Sequence, residues 1–129
     1  MAVPLTVGGV VEMGFLRKLR GRPLNRDEGD RRVIEQLRRS GSDLSRPSRL
    51  RHYLYGRTKE DAEHLAERLR EDGYQVTVRP AAKGKDWLAL ATNRMVLTPE
   101  SIRETRGKLE SLAASIGAEY DGWEAALNK

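Results

Sequence analysis

LRHYLYGRTKEDAEHLAERLREDGYQVTVRP, residues 50–80, changes its apolar period twice. Leu50, His52 and Leu54 alternate with Arg51, Tyr53 and Tyr55, as on a strand with one buried face. Thr58 then opens a helix whose stripe is Ala62, Leu65, Ala66 and Leu69 and whose stop is Gly73. Alternation returns at Tyr74, Val76 and Val78, so strand, helix and strand are expected at about 49–56, 58–72 and 74–79.

Working outward, Pro80 to Lys85 holds a proline, a glycine and two lysines, which suits a hairpin loop before a third strand at about 86–92. Thr98-Pro99-Glu100 opens a second long helix. Proline at the first helical position gives up no needed donor, and the carboxylate complements the dipole. Its stripe of Ile102, Leu109, Leu112, Ala113 and Ile116 ends at Gly117, and a short fourth strand follows through Ala118 to Asp121. The order is βαββαβ: an α+β, ferredoxin-like sandwich with a four-stranded antiparallel sheet and two helices on one face. Upstream, Asp30 reads as the N-cap of a short helix to Ser40, with Val33, Ile34 and Leu37 inward and Gly41 as its stop.

The sheet's second face should carry Arg51, Tyr53, Tyr55, Gln75, Thr77, Arg79, Glu119 and Asp121. Either it is solvated, or the helix at 30–40 crosses part of it.

With 129 residues and no cysteine, the chain suits one domain and excludes disulfides and thiolate chemistry. His52 and His64 are the only histidines, too few for a usual zinc site. The net charge of +5 is uneven: residues 1–51 hold 12 basic and 6 acidic side chains, the rest 12 and 13. We read residues 1–29 as a basic, flexible arm and 30–127 as the domain. Residues 1–12 read as an appendage or alternative start. Phe15 to Arg22 suits a weak interfacial helix at most, and the arm is a possible RNA contact. The longest apolar stretch, Ala2 to Val11, is broken by Pro4, Thr6, Gly8 and Gly9, so no membrane span or secretory signal is expected and a cytoplasmic setting is.

The closing motif Glu119-Tyr120-Asp121-Gly122-Trp123-Glu124, after a Leu-Ala-x-x-x-Gly helix end, resembles the regulator of ribonuclease E activity B (RraB) family. His52-Tyr53, the Asp-Ala pair opening the first long helix, and Gly73-Tyr74-Gln75-Val76 match family features in the same order, over about residues 30–127. The resemblance implies a non-catalytic inhibitor that binds a ribonuclease E/G-type endonuclease by protein contact, without cofactor or metal. Candidate partner-binding residues are Glu119, Tyr120, Asp121, Gly122, Trp123, Glu124, Tyr53 and Tyr55. Asp121-Gly122 can also form a tight turn that folds Trp123 into the core, and the residues support both readings equally.

RNA binding through the open sheet, using Tyr53 and Tyr55, is the alternative. Against it, Lys85-Asp86-Trp87-Leu88-Ala89-Leu90-Ala91 lacks the Gly-aromatic pattern of the best-known base platform. An enzyme is disfavoured: His64 has surface-pair spacing to Glu60 and Glu67 with no nucleophile or oxyanion donor, His52 reads as an interior or edge histidine, and Lys83-Gly84-Lys85 is too short for a phosphate loop.

Overall fold

Period-two patterning sets the centre of the molecule in a computed structural model that describes residues 26–82 and 84–129. In chain order these form α1 (Arg26–Arg39), β1 (Ser48–Gly56), α2 (Lys59–Glu71), β2 (Gln75–Pro80), β3 (Trp87–Met95), α3 (Pro99–Ile116) and β4 (Glu119–Ala125). The strands make one open antiparallel sheet in the order β2-β3-β1-β4, an α+β architecture with three helices among the described residues. The appendage expected at 1–12 and the segment Phe15 to Arg22 lie outside the described residues, as does Lys83.

The two long helices start where their caps dictate. Thr58 Oγ1 accepts from the Asp61 amide at 3.1 Å, and Thr98 and Ser101 exchange a reciprocal pair of bonds at 2.9 and 3.0 Å. Gly117, at φ 77°, closes α3 in the left-handed region that glycine tolerates. At the end of β1, a Cβ on Gly56 would stand 2.8 Å from the Ala62 nitrogen, so only glycine lets the strand finish this close beneath the first turn of α2.

Ser48, Leu50, His52, Leu54 and Gly56 all point from β1 into the helix layer. Leu54 packs with Leu65, Ala66 and Leu69 of α2 and with Leu109 and Ala113 of α3. Leu50 packs with Ile102, Trp123 and Ala125, and onto these α1 lays Val33, Ile34 and Leu37. Thus α1 joins the layer that already holds α3 and leaves the other sheet face uncrossed, which decides between the two placements its sequence allowed.

Three local expectations change. Asp30 sits inside α1 and is buried, so it is no cap; the helix also takes in residues 26–29, which the charge distribution had assigned to the arm. β3 runs on to Met95. β4 runs on to Ala125, because Asp121-Gly122 forms a bulge within the strand and not a turn after it. The pairing of β1 with β4 shifts register between Tyr53 and Leu54, leaving Asp121 as the extra residue and Gly122 at φ 131°.

Past β4 the chain is tied back to the connector between α1 and β1. The Asn128 carboxamide donates to the carbonyls of Asp43 and Pro47 at 3.1 and 3.0 Å, its amide donates to Ser42 Oγ at 2.8 Å, and its carbonyl accepts from the Asp43 amide at 2.6 Å. Among the described residues no helix is long and apolar enough to cross a membrane.

Candidate functional site

On a regular strand, side chains three apart face opposite ways. The bulge at Asp121 cancels that rule, and both Tyr120 and Trp123 turn into the helix layer, 4% and 1% exposed. The Trp123 indole donates from Nε1 to Asp30 Oδ1 at 2.9 Å. Arg106 of α3 completes the group: its Nε and Nη2 donate to Asp30 Oδ2 at 3.1 and 3.0 Å, and Nη2 also reaches Asp27 Oδ1 at 2.6 Å. One carboxylate therefore joins α1, α3 and β4. Burial pushes the Asp30 carboxyl up, while the indole and the guanidinium pull it down.

Tyr120 meets His52, with its hydroxyl 3.0 Å from Nδ1. The imidazole lies edge-on to Tyr74, and burial pushes its pKa down to about 3, so it is neutral near pH 7. His52 is an interior residue whose Nε2 has no hydrogen-bond partner among the described residues. His64 is exposed on α2.

The other half of the hexapeptide lies on the open face. Register places Glu119 opposite Tyr55, Gly122 opposite Tyr53 and Glu124 opposite Arg51. Glu124 Oε2 accepts from the Tyr53 hydroxyl at 2.8 Å and from Arg51 Nη1 at 3.1 Å, leaving it 6% exposed. Burial, with the Glu124 carboxylate next, pushes the Tyr53 phenol up to about 12. Burial and then the neighbouring Asp121 raise Tyr55 in the same way. Beside the tyrosines, β3 contributes Leu88 and Leu90, while β2 contributes Gln75, Thr77 and Arg79. The face thus has an apolar centre, an acidic margin along β4 and arginines toward the start of β1.

Of the candidate residues, the structure brings Tyr53, Tyr55, Glu119, Asp121 and Glu124 together on one side, with Gly122 beneath Tyr53. It takes the Tyr120 and Trp123 side chains out of a partner's reach. Sequence reasoning missed the Asp30–Arg106 pair. Its signal was present: each residue occupies a position in the apolar stripe of its own helix, beside Val33, Ile34 and Leu37 in one case and Ile102 and Leu109 in the other. Among the described residues no group of three acidic or histidine side chains could hold a metal ion.

A family model described as "Regulator of ribonuclease activity B" matches residues 27–125, from the first turn of α1 to the end of β4. No curated protein matches the chain.

Proposed function

Since the chain belongs to the regulator of ribonuclease activity B family, we propose that it is a non-catalytic, protein-binding regulator of a ribonuclease E-type endonuclease, acting as an inhibitor in the cytoplasm. The family match over every described helix and strand carries this reading. We read the body as ferredoxin-like, with β1 and β3 central and α2 and α3 as the two crossovers. Its docking surface is the β4 side of the open face, where Tyr55, Glu119 and Asp121 meet solvent and the Tyr53–Glu124 pair supports them. Trp123, Tyr120 and Gly122 set the course of β4 and so present that edge. Several converging carboxylates beside an aromatic ring suit an Arg- or Lys-bearing segment of the nuclease, since charge-assisted bonds gain most when they act together.

The test is co-purification of the full chain with the endonuclease from the same organism, alongside a transcript-cleavage assay. Capture and slowed cleavage are expected, with Glu119→Lys and Asp121→Lys weakening capture about tenfold through like-charge repulsion. Absence of capture together with unchanged cleavage overturns the reading.

A further inference from the structure

Arg49 of β1 and Arg94 of β3 are direct register partners on the open face, and both are exposed. Neither side chain has a hydrogen bond or ion pair among the described residues. Like charges directly opposite each other, with Cα atoms about 5 Å apart, destabilise a strand pair. Next along β1 is Arg51, and next again Tyr53, whose hydroxyl is held by Glu124 on the neighbouring strand. Tyr53 stands opposite Gly122, which has no side chain to cover it, and the tyrosine is half-buried.

We propose that this end of the open face binds single-stranded RNA, with Arg49 and Arg94 sharing a phosphate and the Tyr53 ring stacking on the adjacent base. Two guanidiniums side by side match the forked acceptor geometry of a phosphate, and a bound anion removes the repulsion that the empty pair carries. A flat ring accepts the face of any base. An acidic peptide satisfies the arginines equally well but leaves the ring unused and brings its charge toward Glu124 and Asp121. A base stacked on Tyr53 brings no charge to that margin. The function is additional to nuclease docking: its arginines lie at the opposite end of the face from Glu119 and Asp121, and Tyr53 stands between the two.

Fluorescence anisotropy with a labelled oligoadenylate of about twelve nucleotides, across a salt series and with no nuclease present, tests it. The full chain should bind, more weakly as salt rises. The Arg49→Ala/Arg94→Ala double variant should bind at least about tenfold more weakly with a shallower salt slope, and its melting temperature should be unchanged or raised, which separates lost contact from lost fold. Tyr53→Ala should weaken binding about tenfold. Undiminished binding by the double variant overturns the proposal, as does no binding by the unaltered chain. Loss of binding confined to a variant with Arg17, Lys18, Arg20 and Arg22 changed to Ala also overturns it. Displacement of the RNA by equimolar oligoglutamate overturns the choice of RNA as partner. Because the assay holds no nuclease, a negative result leaves the docking reading standing.

Discussion

On its helix-covered side the sheet buries His52, Tyr120 and Trp123 under three helices, while on its open side Arg49, Tyr53 and Tyr55 of β1 stand beside Arg94 of β3 with no helix among the described residues laid over them. Both sides contain charge, and they treat it differently. Under the helices the buried carboxylate of Asp30 has three hydrogen bonds from two partners. In the open, two arginines face each other with no ion pair to either among the described residues. Stability is concentrated on the first side, and the second carries residues whose placement folding alone does not require.

Trp123→Ala should have the largest effect, because it empties a fully buried site and strips a bond from Asp30. A loss of about 3–5 kcal/mol in urea unfolding is expected. A loss below about 1 kcal/mol would break the contrast between the faces. Asp30→Ala should cost a comparable or slightly smaller amount, about 3 kcal/mol, by leaving the Arg106 guanidinium buried without its principal partner. Replacing both with leucine and methionine should recover most of that loss, since the pair's absence costs less than a stranded charge.

His52 sharpens the comparison through pH. Its folded pKa of about 3 lies below the unfolded value of about 6.5, so the unfolded chain takes up a proton that the native state refuses. Stability from this group is therefore intact above pH 6.5 and falls by about 1.4 kcal/mol per unit as pH drops below that value. Urea midpoints measured at several pH values from 7 to 5 should show this slope, and His52→Gln should flatten it.

Effects on the open face should be smaller. Tyr53→Phe removes the bond to Glu124, and a loss of about 1 kcal/mol by thermal melting is expected. Arg49→Ala should raise stability by about 0.2–0.5 kcal/mol by relieving the cross-strand repulsion. A drop of the same size would mean that the pair is compensated within the fold.

Local patterning made much of this legible. The alternation in β1, the Thr58 and Thr98 caps and the stripe of α2 each lie within a few residues, and each element formed where its pattern indicated. The side of the sheet taken by Tyr53 and Tyr55 followed from the same alternation. What escaped was non-local or ambiguous. Asp30 and Arg106 find each other across 76 residues, and no spacing rule connects them. Asp-Gly serves a turn or a bulge equally well; pairing with β1 selects the bulge, and that choice decided which way Trp123 points.

Because Trp123 holds α1 through Asp30, and β4 borders the central strand β1, the earliest described helix depends on the last strand made. During synthesis α1 lacks the Trp123 and Ala125 part of its seat until β4 has left the ribosome. Maturation should therefore be a late, concerted event, with α1 and its apolar residues available to chaperones until the final segment arrives.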